Sequence, residues 1–170
     1  NEEANNPSSE TAAANTSTSP AASTHNSFSR IPSHLEQILH VCAEHKKPKK
    51  LVHTLKAIRK KKNDEQRNMP LGIVFFSRIE KLKFMSSLLE KEGVASVELH
   101  SQLYPQLRQT NLQRFSCGQC PLLLATDVAA RGIDIPLVQF VIQYDFPGNP
   151  QQYVHRCGRA GRSGDAATIY

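Results

Sequence analysis

Two short stretches constrain the rest of the chain: Leu71-Gly72-Ile73-Val74-Phe75-Phe76 and Pro121-Leu122-Leu123-Leu124-Ala125 are apolar almost without interruption. A strand with one wet face alternates apolar and polar residues. A strand covered on both faces does not, and such strands belong to parallel sheets. The segments between them carry helical periods. Ile79, Leu82, Met85 and Leu89 share one face of a helix predicted from Arg78 to Glu92, with Gly93 as its stop. Pro105 suits the first turn of a further helix whose buried side is read as Leu107, Leu112 and Phe115. Val94 to Leu99, Val138 to Gln143 and Ala167 to Tyr170 read as strands, with a short helix from Tyr153 to Arg159 before the last. Upstream, Gln37 to Ala43 reads as a first strand, and Pro48 opens a helix with Leu51, Leu55 and Ile58 on one face. Strand and helix alternate throughout, so the expected fold class is α/β: three layers, an open and mostly parallel sheet with helices on both faces. In such sheets ligands bind outside the carboxyl ends of the strands, which here are Ser77-Arg78, His100-Ser101, Thr126 to Gly132 and Asp145 to Gly148.

Charge is unevenly distributed. The net charge is +6, while residues 1–29 hold Glu2, Glu3 and Glu10 and no Lys or Arg, a sum of −3 that leaves +9 for the remainder. Residues 1–30 are mostly Ser, Thr, Ala, Asn and Pro with one aromatic, Phe28. Such a segment buries too little apolar area to offset its ordering entropy, so it reads as a disordered flank or linker, and the domain as residues 31–170. Between Lys46 and Lys62 stand nine basic residues and no acidic one. That run fits a nucleic acid, an anionic membrane face, a nuclear import signal or a solvated helix face. No apolar run approaches 18 residues and no signal peptide is evident, so the chain reads as intracellular, away from membranes, with Cys42, Cys117, Cys120 and Cys157 reduced. Cys117 and Cys120 have metal-ligand spacing, but no second pair completes four ligands and the pair precedes a strand, so neither zinc nor redox chemistry is expected.

The densest chemistry lies near the end. His155-Arg156-Cys157-Gly158-Arg159-Ala160-Gly161-Arg162 sets three arginines within seven residues. Like charges massed on one short element repel one another. A polyanion removes that penalty, and a guanidinium fork matches phosphate oxygens in a bidentate way.

Read together, these segments resemble the second, C-terminal RecA-like core domain of DEAD-box ATP-dependent RNA helicases, from about Leu35 to Tyr170. Ile73-Val74-Phe75-Phe76-Ser77 resembles motif IV. Ala125-Thr126-Asp127-Val128-Ala129-Ala130-Arg131-Gly132-Ile133-Asp134-Ile135-Pro136 is similar, nearly letter for letter, to motif V. Tyr153 to Arg162 is similar to motif VI, His-Arg-x-Gly-Arg-x-Gly-Arg. The resemblance implies ATP with Mg²⁺ as cofactors, RNA as partner through its backbone, and a monomer acting in the nucleus, nucleolus or cytoplasm. It implies catalytic roles for Arg159 and Arg162, the latter as arginine finger on the γ-phosphate. Asp134 would hold the ribose hydroxyl, with Gly132 lining the ATP site and letting the backbone come close. Ser77, Arg78, His100, Ser101, Arg108, Thr126 and Asp127 would meet RNA. Arg131, His155 and Arg156 would couple the two ligand sites to the partner domain. If the basic run also meets RNA, replacing Lys60, Lys61 and Lys62 by Ala flattens the salt dependence of binding.

The chain departs from the family pattern in places. Ser101 stands for a common Gly, Pro105 for a common Gln with Gln106 one place late, and Ala160 for a common Thr. Pro105 has neither a backbone donor nor an amide side chain, so it cannot make a Gln contact. No Gly-x-x-x-x-Gly-Lys-Ser/Thr and no Asp-Glu-Ala-Asp occurs. The phosphate cradle and the Mg²⁺ ligands are therefore expected on an N-terminal core domain, the chain alone is expected to be inactive, and its end on a strand reads as truncation. Two alternatives stay open: a non-hydrolytic RNA-binding or regulatory module of the same fold, and a helicase acting on DNA.

Overall fold

A computed structural model describes residues 31, 35–61, 69–130, 133–161 and 166–170. Six strands form one sheet: β1 (Leu35–Gln37), β2 (Gly72–Phe76), β3 (Ser96–Leu99), β4 (Leu122–Thr126), β5 (Phe140–Gln143) and β6 (Ala167–Ile169). Their order is β1-β6-β5-β2-β4-β3, and every pairing is parallel. The helices are α1 (Lys47–Lys61), α2 (Ile79–Lys91), α3 (Pro105–Ser116), α4 (Asp127–Ala130) and α5 (Pro150–Cys157).

The continuous apolar runs became β2 and β4, the central pair, buried at all five positions each. Alternate side chains divide between two cores. Val74, Phe76, Leu122 and Leu124 meet Leu51 and Leu55 of α1 and Leu82, Met85 and Leu89 of α2. Ile73, Phe75, Leu123 and Ala125 meet Phe115 of α3, Ala129 and Ala130 of α4 and Cys157 of α5. A period of two in a strand with helices on both sides requires apolar residues at every position, which is why these runs lack alternation. The three-layer RecA-like architecture follows. Gly93, at φ +69°, ends α2 by letting its own N–H reach Glu90 O (3.0 Å) while Val94 N–H reaches Leu89 O (2.9 Å).

The structure corrects several element readings. β1 is Leu35–Gln37, not Gln37 to Ala43: Ile38 N–H makes a last bond to Ile169 O (2.7 Å), after which the chain leaves the sheet with Leu39 78% and Val41 91% exposed. Leu107 is exposed rather than buried, because α3 packs through Asn111 and Phe115, with Leu112 partly buried against the same core. The last helix starts at Pro150, where Asn149 caps it by accepting from Gln152 N–H at 2.8 Å. The short α4 forms directly at the end of β4. The reading of residues 1–30 lies outside the described residues.

Candidate functional site

Because all six strands run the same way, the loops leaving β2, β3, β4 and β5 gather along one edge. The β2–β4 register pairs Phe76 with Thr126, the β3–β4 register pairs Leu99 with Ala125, and the β2–β5 register pairs Phe75 with Gln143. Ser77-Arg78, His100-Ser101, Asp127 and Asp145 therefore follow at neighbouring positions, as the parallel-sheet reading required.

Arg156 is the hub of this edge. It is 2% exposed and projects from α5 against the end of β4. Its Nε and Nη2 donate to the two carboxylate oxygens of Asp127 (2.8 and 2.7 Å), and its Nη1 donates to Asp145 O (2.7 Å) and Gln143 Oε1 (3.2 Å). The guanidinium also lies 5.1 Å from the Phe75 ring centroid. A buried cation survives only where its donors are matched, and here the fork meets a carboxylate in bidentate fashion. The contacts of Arg156 are thus with the strand ends of its own domain. Asp127 spends both carboxylate oxygens on Arg156, so its place on the edge is fixed from α5.

Asp145 is the second organiser. Its Oδ2 accepts from Ser77 N–H (3.0 Å) and Ser77 Oγ–H (2.8 Å), and its Oδ1 accepts from Lys81 Nζ (2.8 Å). Lys81 also reaches Glu44 (2.7 Å), Glu44 reaches Lys47 (2.7 Å), and Lys47 lies 3.6 Å from Asp145. Burial pushes the Asp145 carboxyl up, but hydrogen bonds from Lys81 and Ser77 outweigh it and hold the group below its ordinary range. Lys81 is held above its ordinary value by its bonds to Asp145 and Glu44.

The remaining residues take several settings. Arg78 is exposed at the N-terminus of α2, with extended backbone (φ −136°, ψ 144°). Ser101 is exposed, whereas the His100 ring is buried, with Nε2 3.0 Å from Glu98 Oε2 and Nδ1 lacking a hydrogen-bond partner among the described residues. His100 thus offers its backbone, not its ring, to the edge. Arg108 is half-buried, its Nε donating to Leu103 O (3.1 Å), and Thr126 is 7% exposed. Arg159 is half-buried, with Nη1 3.4 Å from Ile133 O and Nη2 3.4 Å from Ala130 O, which sets it beside exposed Asp134. His155 is exposed on α5. Arg131, Gly132 and Arg162 lie outside the described residues. Among the described residues no group of three or more His, Cys, Asp or Glu side chains is placed to hold a metal ion, and no helix is long and apolar enough to cross a membrane. Sequence reading located the Asp145 segment at the edge but assigned no role to Asp145, Lys81 or Gln143. The available signal was an acid two residues beyond an apolar strand.

Comparison with known proteins covers the same region. A family profile described as the helicase conserved C-terminal domain matches residues 46–164. The ATP-dependent RNA helicase DBP8 of Eremothecium gossypii is 37% identical over 142 residues, covering 82% of this chain and 31% of that protein. DEAD-box ATP-dependent RNA helicase 36 of Arabidopsis thaliana is 39% identical over 122 residues, covering 70% of this chain and 24% of that protein. The chain thus spans no more than about a third of either relative. Among solved structures, the C-terminal domain of the DEAD-box protein Dbp5 superposes with a TM-score of 0.71 at 29% identity, over 80% of this chain and 74% of that one.

Proposed function

The chain belongs to the DEAD-box RNA helicase family, as its C-terminal RecA-like core domain, and from that premise we propose that it supplies RNA-backbone contacts and an arginine finger to an ATP site completed by an N-terminal core domain. The observation that carries this reading is the Arg156–Asp127 fork, which joins the segment similar to motif VI to the segment similar to motif V at the carboxyl edge of the sheet. In this reading RNA phosphates lie along Ser77, Arg78, the His100-Ser101 backbone, Arg108, Thr126 and Asp127. Asp134 takes the ribose hydroxyl, Gly132 lines the nucleotide, and Arg159 and Arg162 reach the γ-phosphate across the interdomain cleft.

Arg162 is the finger: a guanidinium fixed against the transferred phosphoryl group neutralises the charge that develops there, worth about 10³–10⁵ in rate in other nucleotide hydrolases. Mg²⁺ would be held by acidic residues of the N-terminal core domain and would supply charge neutralisation at the ATP phosphates. Arg131, His155 and Arg156 couple the two ligand sites. RNA and ATP each favour the closed pair of domains, and only together do they populate it. Hydrolysis then reopens it. The protein works as a monomer on RNA, in the nucleus, nucleolus or cytoplasm.

The test is RNA-stimulated ATP hydrolysis by this chain alone and by the protein carrying both core domains, with and without Arg162→Ala. A silent single domain, an active two-domain protein and loss of most activity without Arg162 is the expected pattern. Full activity without Arg162 overturns the finger assignment. A two-domain protein that binds RNA and hydrolyses nothing points instead to the non-hydrolytic binding module. Stimulation by DNA equal to that by RNA would reassign the polynucleotide.

A further inference from the structure

We propose that Asp145 is a positioning residue for the Ser77–Arg78 turn, and that it ties this turn to the arginine hub on α5. The proposal rests on the reading above that the turn faces RNA.

A carboxylate that is 8% exposed is costly unless it is matched by donors, so its partners indicate what it organises. One oxygen takes both the backbone N–H and the hydroxyl of Ser77, at 3.0 and 2.8 Å. The other takes Lys81, in the first turn of α2, at 2.8 Å. These tethers flank Arg78 on both sides. Arg78 is the N-cap of α2 and its side chain provides no capping bond, so the turn draws its definition from a residue 68 positions away, at the end of β5. The hydroxyl of Ser77 is already committed to Asp145, which leaves Arg78 as the side chain the turn presents at its exposed surface. The same Asp145 accepts from Arg156 through its carbonyl (2.7 Å), and Arg156 forks onto Asp127 beside Thr126. One residue therefore holds the β2 turn with its side chain and the α5 hub with its backbone. A shift of α5 reaches the Ser77–Arg78 turn through two hydrogen-bonded steps, and a shift of the β4 end through three.

Asp145→Asn keeps the size and one acceptor oxygen, but it removes the charge and turns an amide donor towards the lysines. The experiment uses the intact protein with a fluorescein-labelled single-stranded oligoribonucleotide and a non-hydrolysable ATP analogue. It compares the parent, Asp145→Asn, Arg78→Ala and the double variant by anisotropy, with melting temperature and the KM for ATP measured alongside. Loss of a charged hydrogen-bonded tether should weaken RNA binding roughly tenfold. The KM for ATP at saturating RNA should be unchanged, and the double variant should bind no more weakly than Arg78→Ala alone. If Arg78→Ala weakens binding and Asp145→Asn does not, or if their losses simply add, the positioning role is overturned while the functional reading stands. If Arg78→Ala itself has no effect, the turn does not face RNA, and both that assignment and this proposal fall. Equal losses in RNA affinity and ATP KM with a lowered melting temperature would mean general destabilisation and also overturn it. Should Asp145→Asn not fold, Lys81→Met removes one tether from a surface position, with about a threefold loss expected. Affinity unchanged in that variant overturns the proposal.

Discussion

Arg156, which sequence groups with a phosphate-facing arginine cluster, is held in the structure as a pin between strand ends. It is 2% exposed, and its fork satisfies Asp127, Gln143 and the Asp145 carbonyl at once. Lysine has the charge but not the planar set of donors, so Arg156→Lys leaves part of that set unmet. Breaking a buried pair costs about 3–5 kcal/mol, and because Asp127 is 21% exposed the expected loss is near the low end, about 3 kcal/mol in urea denaturation. A loss below about 1 kcal/mol would place the pair with ordinary surface bridges. Asp145 makes a different prediction, in pH. Its folded pKa lies below the unfolded value of about 3.9, so its contribution is complete above that value and is lost as pH falls through the folded one. Below about pH 4 the urea midpoint of the parent should therefore fall more steeply than that of Asp145→Asn. Parallel curves would show that the tethers add no stability. Lys81, held above its ordinary value, contributes below about pH 10.4 and loses that contribution only as pH rises through its folded pKa.

At the scale of elements, legibility followed burial. β2 and β4 were readable to within a residue because two-sided burial leaves an unbroken apolar run. β1 was misread because it is a three-residue edge strand held by β6 alone, and the apolar letters after Gln37 belong to exposed chain. The start of α5 is written in Asn149-Pro150, a cap and a first-turn proline, three residues ahead of the Tyr153 at which the sequence reading begins the helix. Asn149→Ala should accordingly cost about 1 kcal/mol of stability. Gly72 carries a sharper test. It sits opposite Phe140 in the β2–β5 register, and a Cβ there would stand 2.0 Å from the Phe140 ring. Gly72→Ala should destabilise by about 1–3 kcal/mol, since β-sheet backbone leaves the ring little room to retreat. Adding Phe140→Leu should recover part of that loss. Additive losses in thermal denaturation would instead locate the cost in the strand backbone.

For the whole molecule, the edge that gathers the site was legible from strand direction alone. The network that stiffens it was not, since the Asp145–Ser77 and Arg156–Asp127 partners stand 68 and 29 positions apart and no local spacing joins them. The basic run is laid out along the sheet in a way that composition does not show. Fifteen residues of α1 extend about 22 Å and run from one end of the sheet to the other. Its start lies at the carboxyl edge, where Lys47 meets Glu44 and approaches Asp145. Its end lies among the amino ends of the strands, where Lys56 and Arg59 line a hollow with Met69, Val94 and Gly118. Lys60 follows Arg59 at that same end, away from the carboxyl edge that holds Ser77, Ser101 and Thr126, while Lys62 lies outside the described residues. If RNA lies along the carboxyl edge, Lys46→Ala with Lys49→Ala should lower the slope of log affinity against log salt by up to about 1–2, one for each phosphate contact removed. Arg59→Ala with Lys60→Ala should leave the slope unchanged while removing the same formal charge. Equal effects from the two pairs would make the helix a source of diffuse attraction, and a larger effect from Arg59 and Lys60 would move the polynucleotide to the opposite edge of the sheet.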